Sequence, residues 1–112
     1  MAKFKFVPWL FDFLLSTIMF SFDWDEGNAT KNLIKHGVEC GIIESVFYDN
    51  EILALGKQYE PDFLEPRFAI IGKAIDGKIY FVCFTIRQSK IRPISARIAN
   101  WSERIIYEQE IC

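Results

Sequence analysis

The sequence predicts an α+β domain in the order β-α-α-β-β-β-α, a mainly antiparallel sheet with helices packed on it. Three observations carry that prediction. Two apolar runs, Arg67–Ile75 and Lys78–Arg87, flank an Asp76-Gly77 pair, the local pattern of a β-hairpin. Ile79–Phe84 is apolar without interruption, as in a central strand covered on both faces. Asn100 with Glu103 three positions later makes a capping-box pattern that opens a last helix. A chain of 112 residues, 51% of them hydrophobic, has material for one core and no room for a second.

The first stretch is the least regular. Phe6 to Phe22 is nearly all apolar, broken by Pro8 and Asp12 and preceded by Lys3 and Lys5. A membrane span needs about 20 apolar residues and disfavours a central acid. No small-x-small cleavage pattern follows the basic start, which argues against a secretory signal. Residues 1–18 are therefore expected to be an apolar N-terminal extension, either packed on the domain or produced by an upstream start codon, with residues 19–112 as the single domain.

From Phe22 the segments are clearer. Phe22-Asp-Trp-Asp25 suits a short strand, Asp25 an N-cap, Glu26–His36 a helix, and Gly37 its left-handed stop. On that helix Ala29, Leu33 and His36 share one face, and Asn28, Lys31, Asn32 and Lys35 the other. A second helix over roughly Glu39–Tyr48 turns Ile42, Ile43, Val46 and Phe47 inward. Glu51–Leu55 has the composition of a strand, and Glu60–Pro66, with two prolines, that of a loop. After the hairpin, Gln88-Ser-Lys90 joins a third strand, Ile91–Ile98.

The formal charge of -2 excludes a protein that coats nucleic acid indiscriminately. The charge is uneven, however. Residues 1–86 hold eight Lys/Arg against twelve Asp/Glu, while Arg87–Arg104 holds five basic residues and one acid. Such a rim suits phosphate, because each guanidinium offers forked donors and stays charged. It equally suits a solvated, protected sheet edge. Cys40, Cys83 and Cys112 are odd in number and lack metal-ligand spacing, so a reduced, cytoplasmic chain without structural metal is expected.

Several pieces stand in one order: Phe22-Asp-Trp-Asp25, Asn32-x-x-Lys35-His36-Gly37-Val38, Val46-Phe47-x-Asp49 and Arg67-Phe-x-x-Ile-Gly72, then Asp76-Gly77, Phe84-Thr-x-Arg87, Ile94-Ser-Ala-Arg97-x-Ala99, Glu103-Arg104 and Tyr107. Over about residues 19–108 this resembles the BrnT family of bacterial toxins. The resemblance implies a RelE-like ribonuclease fold and metal-independent cleavage of RNA with no cofactor. It also implies inhibition by a BrnA antitoxin, a ribbon-helix-helix protein through which alone operator DNA would be contacted. A membrane partner is not expected. Two features depart from the pattern: the apolar extension, and Tyr59-Glu60-Pro61-Asp62-Phe63 where family members often carry a second histidine.

Metal-free RNA cleavage needs a base for the 2′-hydroxyl, cationic donors for the phosphate and an acid for the leaving 5′-oxygen. Arg87 and Arg97 are the first candidates for the phosphate. A three-residue loop at Gln88–Lys90 would pair Arg87 with Ile91 and put Arg97 on Arg87's face. Arg67 joins them only if the Asp76-Gly77 turn carries a bulge, which places it beside Thr85. The alternative for each arginine is an ion pair with Glu103, Asp23 or Glu65, and the resemblance is what favours catalysis. His36, the only histidine, is either a proton carrier or a group bonding the helix end. Glu103 is a base or a cap. Lys31, Lys35, Arg92 and Tyr107 are candidate RNA contacts, with a solvated helix face and a tyrosine sealing helix to sheet as the alternatives for the lysines and for Tyr107. Beside the ribonuclease stands a second possibility, a non-catalytic partner on the same scaffold that only binds antitoxin and assists repression.

Overall fold

The computed structural model describes residues 3–16 and 19–111. The elements are β1 (Lys3–Lys5), α1 (Pro8–Ser16), α2 (Glu26–His36), α3 (Cys40–Val46), β2 (Leu53–Glu60), β3 (Phe68–Lys73), β4 (Ile79–Arg87), β5 (Lys90–Ile98) and α4 (Trp101–Ile111). The strands form one antiparallel sheet in the order β1-β2-β3-β4-β5. The α+β class and the mainly antiparallel sheet are thus as the sequence predicts. Among the described residues no helix is long and apolar enough to cross a membrane.

Alternation along β4 divides the sheet into two faces. Tyr80, Val82 and Phe84 join the hydrophobic core, where Leu10 and Leu14 of α1, Ile43 and Val46 of α3, and Phe47 meet Phe68 and Ile70 of β3. The rings of Phe47 and Phe84 are 5.1 Å apart, edge to face. Phe81, Cys83, Thr85 and Arg87 point the other way.

Two turns fix the register of that second face. The β3–β4 turn is longer than a plain Asp-Gly hairpin. Gly77, at φ +83, donates its N–H to the Ala74 carbonyl at 3.0 Å, and the Ala74 N–H meets the Lys78 carbonyl at 2.9 Å. This is the bulged turn, and with Phe68 opposite Phe84 it puts Arg67 in line with Thr85. The β4–β5 turn is shorter than the expected three residues. Gln88 and Ser89, at φ 52 and 65, turn the chain alone and pair Arg87 with Lys90. Left unbroken, that register would carry Arg97 to the core face. A bulge at Ile94 of β5, opposite the step from Cys83 to Phe84, shifts it by one residue, so Arg97 lies opposite Phe81, on Arg87's face after all.

Other boundaries also differ from the sequence expectation. Phe22–Asp25 contributes a single parallel bridge, Phe22 to Ile91, because Asp25 already turns into the cap of α2. β2 runs on to Glu60 through a bulge at Gly56. Asn28 is buried rather than on a solvated face: its amide donates to the carbonyls of Asp23 at 2.9 Å and Pro93 at 3.0 Å, tying α2 to β5. Ala29 is half-buried and His36 exposed, while the side chains of Asn32 and Leu33 lie outside the described residues.

Residues 3–16 dock on this sheet. β1 pairs with β2, and a Cβ at Gly56, which has φ +108, would fall 1.9 Å from the Lys5 carbonyl oxygen, so only glycine fits there. Leu10 is fully buried and the Trp9 ring meets that of Phe68 at 5.2 Å. Truncating a buried leucine typically costs about 2–5 kcal/mol. Leu10→Ala is therefore expected to lower the urea midpoint by a corresponding amount. A midpoint unchanged from the parent chain would mean that residues 1–18 are merely appended.

Candidate functional site

The second face of the sheet carries a cleft of about 220 Å3 between α2, the start of β3 and the paired ends of β4 and β5. Its lining includes Lys31 from α2, Arg67 before β3, Arg87 from β4 and Arg92 from β5, with Asn28 and Thr85 as neutral groups. Glu65 supplies the one carboxylate among these lining residues. Four cations against one acid make this a local positive site on an acidic protein.

Each arginine of the cleft is held by a specific local cause. Thr85 Oγ1 donates to the Pro66 carbonyl at 2.6 Å, fastening the segment that carries Glu65 and Arg67 onto β4. The Arg67 guanidinium lies 3.9 Å from the centre of the Phe63 ring, a cation–π contact that fixes it without consuming its donors. Arg87 reaches Glu65 through Nε at 2.5 Å and Nη2 at 2.8 Å. That fork holds the Glu65 carboxyl below the usual carboxylate range, with attraction from Arg92 and Arg67 adding to it. Arg92, 18% exposed, is clamped by Asp25 at 2.9 Å and Asp23 at 3.6 Å. Asp25 also accepts the Asn28 N–H at 3.0 Å while its own N–H reaches Asn28 Oδ1 at 2.8 Å. One carboxylate thus caps α2 and orients Arg92, and the Asn28 N–H followed by Arg92 holds it below its ordinary range.

Arg97 shares this face but not this cleft. Its partner on β4 is Phe81, six residues from Arg87, or about 20 Å along a strand. There it stacks 4.5 Å over the Phe81 ring and binds Glu103 through both terminal nitrogens, at 2.7 and 2.8 Å. Glu103 in turn accepts the Asn100 N–H at 2.9 Å and donates its own N–H to Asn100 Oδ1 at 2.9 Å. Burial opposes the Glu103 charge, but Arg97 and the Asn100 N–H outweigh it and hold the carboxyl below the usual range. Of the two roles the sequence offers Glu103, base or cap, the capping bonds are present in the geometry.

The remaining candidates are spread out. Tyr107 is 2% exposed and its hydroxyl donates to Asp49 at 2.5 Å, so its ring offers no face to a base. Burial and then Asp49 push its pKa well up. His36 and Lys35 are exposed near the end of α2 and do not line the cleft, whereas Lys31, one turn earlier, does. Sequence reasoning named Glu65 only as an arginine's partner and passed over Asn28 and Thr85 as site residues. The available signal was the Glu65-Pro-Arg67 spacing, which a bulged hairpin lays across from Thr85 and Arg87.

Over residues 24–103 the sequence matches a family model described as the ribonuclease toxin BrnT of type II toxin-antitoxin systems. Among solved structures, the crystal structure of the Brucella abortus ribonuclease toxin BrnT is similar at a TM-score of 0.49 and 24% identity, covering 73% of this chain and 99% of that one. No curated protein matches.

The second cluster generates a stability prediction. Glu103→Gln keeps an acceptor for the Asn100 N–H but loses the charged pairing with Arg97, worth roughly 1.5–3 kcal/mol for hydrogen bonds to a charged group. Glu103's folded-state pKa is depressed, so its contribution is present above the unfolded value and disappears as pH falls through the folded one. Denaturant titrations should show the variant weaker by a constant margin from pH 6 to 8. The margin should close in acid, below about pH 4.

Proposed function

Because the chain belongs to the BrnT family of ribonuclease toxins of type II toxin-antitoxin systems, we propose that it is a metal-independent endoribonuclease whose active site is the cleft of Lys31, Arg67, Arg87 and Arg92. A protein antitoxin follows from the family, and we assign it to the BrnA-like, ribbon-helix-helix class. The observation that carries the reading is the convergence of four cations from four segments of the fold on one small cleft.

The chemistry follows from that arrangement. Cleavage of an RNA phosphodiester by its 2′-hydroxyl passes through a pentacoordinate phosphorus with added negative charge on its oxygens. Forked guanidinium donors already aimed at that volume stabilise the charge without reorganising at the moment of reaction. Arg87 has the right geometry, since Glu65 occupies its fork in the way a phosphate would. Arg92 and Arg67 flank it, and Lys31 adds a compact charge from α2. Lys35, exposed one turn on, extends the positive surface for a longer strand. Access to this site by RNA in the cytoplasm is blocked when the antitoxin covers it.

One observation favours the second reading, a non-catalytic partner. Arg87, Arg92 and Arg97 all have carboxylate partners, and His36 lies outside the cleft. The two readings separate in a single assay. Expression without antitoxin should arrest growth, and purified protein should cleave single-stranded RNA in the presence of a chelator. Arg87→Ala should slow cleavage by about 100- to 1,000-fold, the usual loss for one donor to a developing oxyanion. Cleavage abolished by chelation would count against the metal-free mechanism. Protein that binds antitoxin and leaves RNA intact would favour the non-catalytic partner.

A further inference from the structure

The ribonuclease reading leaves the proton acceptor unassigned, and the inference here rests on that reading. The two sequence candidates are badly placed for the task. His36 and Glu103 both lie outside the cleft lining, and Glu103 is also held at the start of α4 by the Asn100 N–H. Within the lining, Glu65 is the one group that accepts a proton and carries negative charge. Its side chain is 44% exposed, so a substrate can reach it. Its position is not that of a free loop residue, because the next residue's carbonyl is bonded to Thr85 and its own oxygens grip Arg87.

We propose that Glu65 is the general base of RNA cleavage, released from Arg87 when a substrate phosphate takes over that guanidinium. The Glu65 carboxylate then removes the proton of the 2′-hydroxyl. The O–H electron pair becomes the new bond from O2′ to phosphorus, and the bond from phosphorus to O5′ breaks with its pair on oxygen. The 5′-oxygen takes a proton from water, and the hydroxide so formed takes the proton now on Glu65, which restores the carboxylate and the water and leaves a 2′,3′-cyclic phosphate and a 5′-hydroxyl. Phosphorus is neither oxidised nor reduced, and no other reactant is needed.

The exchange also tunes the base. In the unliganded cleft Arg87 is the main cause of Glu65's lowered pKa, followed among the attractions by Arg92 and Arg67. The charged groups facing it from the packed elements are Arg87 on β4, Arg92 on β5, Arg67 before β3 and Lys31 on α2. Together they keep Glu65 ionised at neutral pH. A phosphate that captures Arg87 removes the strongest of these influences, so Glu65 becomes more basic when the 2′-hydroxyl arrives.

The test compares the parent chain with Glu65→Gln on a short single-stranded RNA under chelation, and on the same sequence with 2′-deoxy sugars as a non-cleavable ligand. Loss of a general base is expected to lower single-turnover cleavage by about 100- to 10,000-fold. Affinity for the 2′-deoxy strand should hold or rise, because a carboxylate leaves a cationic cleft. The acid limb of the parent pH–rate profile should vanish in the variant, and Glu65→Asp should recover part of the rate. Cleavage by Glu65→Gln at the parent rate would overturn the assignment. So would a rate loss matched by an equal loss of binding or by a lowered melting temperature, which would mark Glu65 as a support for Arg87. A parent chain that leaves RNA intact would overturn the ribonuclease reading and the base together.

Discussion

The strict alternation of β4 is the constraint from which the rest of the molecule takes its shape. Tyr80, Val82 and Phe84 commit one face to the core, and burying such rings and branched chains supplies most of what holds a domain of this size together. The opposite face is then available for Thr85 and Arg87, and every neighbouring strand must match it in register. The bulged turn at Gly77 brings Arg67 into line, the two-residue turn at Gln88–Ser89 brings β5 back, and the bulge at Ile94 of β5 adjusts the far end. A slip of one residue anywhere would move arginines into the core and core residues into solvent.

Local charge matters more here than total charge. The chain is acidic, yet Lys31, Arg67, Arg87 and Arg92 gather where β3, β4, β5 and α2 meet, and Glu65, Asp23 and Asp25 help to place two of these arginines. Asp25 orients Arg92 while capping a helix, and Glu103 orients Arg97 while capping another. Unlike the part-buried pair of Arg97 with Glu103, exposed ion pairs such as Arg87 with Glu65 contribute little to stability. Their effect is positional: each long, mobile side chain is confined to one rotameric region, so its donors already face a fixed volume. An anion entering the cleft competes with carboxylates for donors that are in place, rather than gathering scattered ones.

Features encoded over three or four residues were legible in the sequence. The Asp25 cap, the Gly37 stop, the Asp76-Gly77 hairpin and the Asn100–Glu103 box depend only on near neighbours, and each is found. What escaped depends on distant ones. Asn28 looks solvated until the Pro93 carbonyl, 65 positions away, is brought to it. β2 runs past Leu55, where its sequence pattern ends, because the bulge at Gly56 breaks the alternation without ending the strand. The face shared by Arg87 and Arg97 was foreseen, although through a three-residue loop; a shorter turn and a bulge give the same parity. Their separation was missed because a shared face says nothing of distance along it. Arg67 reaches that face through a bulged turn that no local pattern announces.

The clamp between Asp25 and Arg92 has a temporal meaning as well as a spatial one. The two residues are 67 positions apart, and the bridge from Phe22 to Ile91 spans a similar interval. Contacts this remote form late, since the chain between them must first be synthesised and ordered. A polypeptide still lacking β5 has neither Arg92 nor the floor on which α2 is moored. The cationic cleft therefore cannot come into being before β5 is made, and a chain that stops short of it carries only scattered parts.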